Sequence, residues 1–133
     1  MFKFAESSLN YLKEADPELQ LICQRVKELA EIDFDISCAY RSVGEQMAAY
    51  KAGTSQLDGV MNKSNHNYIP SRAVDIYCYN GKQADYSDKN MAYMAGLFHA
   101  VSVDLFERGI IKNILIWGGW WTDLVDMPHY ELG

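Results

Sequence analysis

Residues 72–79, RAVDIYCY, restrict what this chain can fold into more than any other stretch. Val74, Ile76 and Cys78 fall on one side of an extended segment; Ala73, Asp75 and Tyr77 fall on the other. That period of two is the signature of a strand, and it sets a carboxylate among apolar neighbours. FDISCAY at 34–40 alternates too, with Phe34, Ile36 and Cys38 set against Asp35 and Ser37. A sheet containing these strands needs apolar faces to cover it, and the rest of the chain supplies them as helices.

Residues 17–30 read as a helix, with Asp16 as cap, Pro17 at the first helical position and Glu18 in the first turn. Leu19, Ile22, Val26 and Leu29 recur at helical spacing and are expected inward. Ser42 with Glu45 makes a capping-box pattern that opens a second helix, which Gly53 can close. Residues 54–63 carry turn formers and no period, so a loop is expected there. The longest helix is expected over 89–107, with Met91, Met94, Phe98, Val101 and Leu105 inward and Gly109 past its end. YNGK at 79–82 signals a turn. A strand is expected over 111–117, a bend at Gly118 and Gly119, and a short last strand at 129–132. The sum is an α+β fold, helices packed on a small, mostly antiparallel sheet.

The 133 residues fit one domain spanning 1–133, and at 49% hydrophobic the chain can bury a core. A net charge of −6 with no basic stripe argues against a nucleic-acid-binding surface. No stretch approaches the ~20 apolar residues of a membrane span, so no membrane insertion is expected. The N-terminal segment lacks the apolar core of a signal peptide, which places the new chain in the cytoplasm. A monomer is expected. Cys23, Cys38 and Cys78 form an odd, widely spaced set with no C-x-x-C pair, and are expected to be buried, unreactive thiols.

Three histidines are present. His99 falls inside the long helix and is expected to be structural. His66 and His129 stand among polar and turn residues at element boundaries, where ligands and catalytic groups gather. Asp75 must be paired, hydrogen-bonded or metal-bound if its strand face is covered. A salt bridge to Arg41 or Arg72 would satisfy it; so would a metal. Two histidines and a carboxylate make a catalytic zinc composition that leaves a fourth position open, and Asp126, three residues before His129, can act as base beside it. Neither H-E-x-x-H nor P-C-x-x-C occurs, which excludes the helix-borne metalloprotease and zinc deaminase schemes.

The segments YRSVGEQMAAYKAGTSQLDGV, SNHNYIPSRAVDIY and WGGWWTDLVDMPHYEL carry S-x-H, A-x-D and D-x-P-H-x-E in order. In this the chain resembles the zinc peptidases of the D-alanyl-D-alanine carboxypeptidase and dipeptidase group. Within that group it resembles the short phage endolysins that cut the L-alanyl-D-glutamate bond of peptidoglycan. The resemblance implies one Zn2+ held by His66, Asp75 and His129, Asp126 as general base, and Arg41 steadying the substrate carbonyl. It implies the peptidoglycan stem peptide as substrate, and residence in the host cytoplasm until a holin gives access to the periplasm and wall. Glu131 either orients a ligand imidazole or is a plain exposed strand residue, and Trp117, Trp120 and Trp121 either line the groove or pack in the core and at the rim. The spacing from His66 to Asp75 is two residues longer than in the family's compact form. Trp120 stands where relatives often carry an acid. A D-alanyl-D-alanine carboxypeptidase and a non-catalytic, zinc-stabilised binding module on the same fold are the rival readings.

Overall fold

The computed structural model describes residues 2–55, 57–59 and 63–133. Its helices are α1 (Glu6–Lys13), α2 (Pro17–Leu29), α3 (Val43–Lys51) and α4 (Asp88–Glu107). Its strands are β1 (Phe34–Cys38), β2 (Ala73–Tyr79), β3 (Ala84–Asp85), β4 (Leu115–Trp117) and β5 (His129–Leu132). The strands form one antiparallel sheet in the order β1-β2-β5-β4, with β3 pairing the far end of β2. The α+β expectation holds in this arrangement.

The helix ends follow local chemistry. Asp16 Oδ1 accepts from the Glu18 amide at 2.8 Å, and Pro17 begins α2. Ser42 and Glu45 close a reciprocal capping box on α3. Gly109 takes a positive φ of 73° just past α4, a backbone state other residues adopt only with strain. The expected inward residues of α4 are all buried. In α2 the expectation fails at one position: Leu29 is 43% exposed, and Cys23 is buried in the core instead. The helix turns Leu29 outward in its last turn, and Ala30 beyond it is extended and buried.

One face of the sheet supplies Phe34, Ile36, Val74, Ile76, Cys78 and Tyr130 to a core completed by α2 and α4. An aromatic chain runs through it: Phe4 edge-on to Phe34, Phe34 edge-on to Phe98, and Phe98 stacked on Tyr130 at 4.1 Å.

Two parts of the sheet depart from the sequence expectation. α1 carries no side-chain cap and only eight residues, yet it forms because it covers the open edge of β1. Ser8 Oγ accepts from the Ile36 amide at 2.9 Å and donates to Asp35 Oδ1 at 2.6 Å. Asp35, expected on the outward side, is buried by this contact. The second departure is β4, which starts at Leu115 rather than residue 111. The Glu18 carboxylate captures the amides of Lys112 and Asn113 at 2.9 and 3.0 Å, holding that stretch out of the sheet. The described residues of the expected 54–63 loop lie outside helix and strand; positions 56 and 60–62 lie outside the described residues. The 79–82 turn is held by Asn80, whose side chain accepts from the amides of Lys82 and Gln83.

Candidate metal centre and catalytic cleft

Asp75 lies in β2 with a strand on either side. Its register partners are Cys38 on β1 and His129 on β5. Residues directly opposite on an antiparallel pair bring their side chains together, so the pairing alone sets His129 beside Asp75. His66 arrives from a single 3-10 turn, Asn65–Asn67. Ser64 caps that turn by accepting from the His66 amide, while Asn67 accepts from the Ser64 amide and donates to the Arg41 carbonyl. The Arg41 amide donates back to the His66 carbonyl at 2.8 Å, and the Arg72 amide to the Asn65 carbonyl at 2.9 Å. These ties fasten both ends of the turn, so the extra residues between His66 and Asp75 leave the two side chains together. The peptide bond Ile69–Pro70 within them is cis.

His66 Nε2 stands 3.3 Å from Asp75 Oδ1 and 3.3 Å from His129 Nδ1; His129 Nδ1 stands 3.0 Å from Asp75 Oδ1. Donors bound at ~2.0–2.1 Å in a tetrahedral set lie roughly 3.3 Å apart, so this trio has the spacing of three vertices around one small divalent cation. The outer nitrogens reinforce the fit. His66 Nδ1 lies 2.7 Å from the Ala39 carbonyl, and His129 Nε2 lies 2.7 Å from Glu131 Oε1. Both partners are acceptors, so each ring carries its proton on the outer nitrogen and turns a lone pair toward Asp75. Three lone-pair atoms converging this closely need a positive charge among them, either a proton or a metal ion. Two imidazoles and a carboxylate are donors that suit zinc.

The ionisation of the three groups expresses the same demand. Burial alone would lower the His66 pKa, but hydrogen bonds to Asp75 and Cys38 and the charge of Asp75 raise it to about 10. Burial also works against His129, and its bonds to Asp75 and Glu131 raise it nonetheless. Burial would raise Asp75, yet the two imidazoles hold it well below the usual carboxylate range.

Asp126 Oδ2 lies 3.9 Å from His129 Nδ1, on the open side of the trio. Its pKa is raised, first by burial and then by the charge of Asp75; His129, His66 and Arg41 oppose the rise. Its backbone is locked to the start of the segment after β4, with its amide donating to the Gly118 carbonyl at 3.0 Å. Gly118 is required there: a Cβ would collide with the Asp126 carbonyl oxygen and lie 3.1 Å from His129 Cβ. Arg41 also reaches the trio, its guanidinium 3.6 Å from Asp75 Oδ2 and donating to Gln46 Oε1 at 2.9 Å. The structure therefore gives Asp75 both an ion pair with Arg41 and the two histidines.

Arg41, His66, Asp75, Asp126 and His129 all line one cleft of about 610 Å³. His99 stands apart on the exposed side of α4. Three contributors escape the sequence reading. Gln46 is fully buried on α3 and holds Arg41 while donating to Ser55 and Leu57; the capping box placed its helix but not its side chain. Asn65 donates to Glu131 at 2.5 Å. Cys38, expected to be buried and remote, is half-buried with Sγ 3.8 Å from His66 Nδ1, because a register shift between Ile36 and Cys38 turns it toward the site. Cys23 and Cys78 are buried as expected, and burial pushes their thiols up to about 12 and about 11.

The fold matches the crystal structure of Serratia marcescens L-Ala D-Glu endopeptidase ChiX with a TM-score of 0.80 at 23% identity, over 98% of this chain and 90% of that one. In sequence, the chain is 32% identical over 87 residues to the L-alanyl-D-glutamate peptidase of Escherichia phage T5. That match covers 65% of this chain and 61% of the phage protein, less than two thirds of its length. A family model, phage L-alanyl-D-glutamate peptidase, matches residues 1–132. Over all but its last residue, then, the chain belongs to the phage L-alanyl-D-glutamate peptidase family.

Proposed function

We propose that this chain is a zinc-dependent peptidase that hydrolyses the L-alanyl-D-glutamate bond of the peptidoglycan stem peptide. The observation that carries the reading is the convergence of His66 Nε2, Asp75 Oδ1 and His129 Nδ1 within 3.3 Å of one another, in a chain of this family. His66, Asp75 and His129 would hold the ion. Bound zinc would lower the pKa of a coordinated water and polarise the scissile carbonyl. The chain's own groups supply the rest.

Asp126 accepts the proton of the attacking water and passes it to the leaving amine of D-glutamate. Its raised pKa brings a carboxylate closer to neutrality, which suits a group that must both take and return a proton. Arg41 lines the same cleft, where its guanidinium can stabilise the oxygen of the tetrahedral intermediate. Gln46 holds that guanidinium against its own flexibility. Wall hydrolysis of this kind serves lysis of the host cell, with a holin admitting the protein to its substrate. Among the described residues no helix is long and apolar enough to cross a membrane.

Mass spectrometry of fragments released from purified peptidoglycan tests the reading. New amino-terminal glutamate is the expected product. Release of free D-alanine instead would make the enzyme a carboxypeptidase.

A further inference from the structure

A second cavity, of about 740 Å³, opens on the far side of Trp120 and Trp121, which line both it and the catalytic cleft. One wall is the small-residue side of α4, including Ala92 and Gly96; the other is β4 and the indoles that follow it. Trp120 is 80% exposed, a large apolar ring turned to solvent beside this cavity. It packs edge-on to Trp117 at 5.2 Å, and Trp117 is anchored by donating Nε1–H to the Met127 carbonyl at 2.6 Å. Trp121 in turn lies 5.0 Å from the His129 ring. Trp120 and Trp121, which line both cavities, therefore lie between the candidate metal centre and the second groove.

We propose that this groove binds the sugar to which the stem peptide is attached, a proposal that rests on the peptidase reading above. In peptidoglycan the amino group of L-alanine is joined by an amide to the lactyl ether of N-acetylmuramic acid. Only one residue separates the scissile bond from a pyranose ring on the amino side. On the carboxyl side the peptide carries the free carboxylate of D-glutamate and then a diamino acid. Among the described residues the second groove is lined by no Lys, Arg, Asp or Glu, and His99 is its one exposed ionisable group. It offers nothing to a charged peptide. It suits an uncharged ring with an apolar C–H face, which can lie on the flat exposed indole of Trp120 while its hydroxyls stay wet. Continuity through Trp120 and Trp121 puts that ring within reach of the cleft.

The test compares two substrates and one fragment. Cleavage of N-acetylmuramyl-L-alanyl-D-glutamyl peptide and of the same peptide without sugar is measured on the zinc-loaded wild type and on Trp120→Ala. The sugar is expected to lower KM by about tenfold in the wild type, a contribution of the order of one aromatic stacking contact. That advantage is expected to shrink towards none in Trp120→Ala. Gly96→Arg gives an independent obstruction from the opposite wall, since no atom lies within 4 Å of an added Cβ there, and it is expected to reduce the same advantage. Equal KM values for the two substrates in the wild type, or an advantage untouched by both variants, would overturn the proposal.

The fragment N-acetylmuramyl-L-alanine contains no scissile bond, so it reports on the groove even if neither peptide is cut. Its addition is expected to shift the Trp120 indole N–H resonance. No shift with the sugar fragment, or a shift only with the sugar-free peptide, would overturn the sugar assignment. Failure to cut either substrate while the fragment still binds would instead count against the peptidase reading alone.

Discussion

Asn65 and Glu131 are 66 positions apart, and a 2.5 Å hydrogen bond joins them. One is next to His66 and the other two residues beyond His129, so this bond ties together the two segments that bring imidazoles to Asp75. The second oxygen of Glu131 accepts from His129 Nε2 at 2.7 Å. A carboxylate held in this way fixes the tautomer and angle of the His129 ring. Glu131→Gln is expected to weaken zinc binding by about 10- to 100-fold while leaving the circular dichroism spectrum intact. Asn65→Ala is expected to act in the same direction, more weakly. Competition against a chromogenic chelator measures both. Wild-type affinity in Glu131→Gln would remove the residue from the metal's support.

Asp126→Asn separates proton transfer from metal binding. The amide keeps the shape of the carboxylate but cannot accept a proton. Zinc content and melting temperature are expected to stay at wild-type levels, and turnover is expected to fall by roughly 100- to 10,000-fold. A parallel loss of zinc would make Asp126 a ligand instead, and near-normal cleavage of peptidoglycan would sink the proposed mechanism.

The proton held by His66 gives a pH prediction. In the metal-free protein its pKa is raised from 6.5 to about 10. A raised value means that the protonated ring stabilises the fold fully below about 6.5, and that this contribution disappears as pH climbs through about 10. The metal-free protein is therefore expected to lose melting temperature between pH 7 and 10. A metal ligand must be unprotonated, so zinc uptake at pH 7 is expected to expel protons and to tighten as pH rises. Calorimetric titration in buffers of different ionisation enthalpy counts the protons. A count of zero would show that the imidazoles are already neutral.

Gly118→Ala tests the approach of the 118–126 segment to the site. The new methyl would meet the Asp126 carbonyl, so either the strand end or the base must move. A cost of about 1–3 kcal/mol in unfolding free energy is expected, together with reduced turnover. Chemical denaturation and a cleavage assay on one sample check both. Unchanged stability would mean the backbone accommodates the methyl elsewhere.

Much of this site was legible in the sequence because its chemistry is local. A carboxylate at the centre of an alternating run, and histidines beside turn residues, stand out without any knowledge of the fold. The supports were hidden because each depends on a partner far along the chain. Ser8 draws no attention in the sequence, and its role as acceptor for the Ile36 amide appears only once the edge of β1 lies beside it. Residues 111–114 read as strand until Glu18, over ninety positions earlier, takes the amides of Lys112 and Asn113. Cys38 sits on the apolar side of its strand by simple alternation, and only the shift in pairing brings it to His66. Gln46 carries no signal in its own helix, since its burial follows from the arginine and loop it serves.

The pairing of Asp75 with His129 across β2 and β5 has one more consequence. Slipping the two strands by a single residue would put Asp75 and His129 on opposite faces of the sheet. An ion held by all three donors, as proposed above, would therefore be captured only by a chain whose central strands have aligned correctly. On the proposed function, metal uptake would then act as an inspection of the finished sheet, and molecules that pair out of step would stay inert towards the wall.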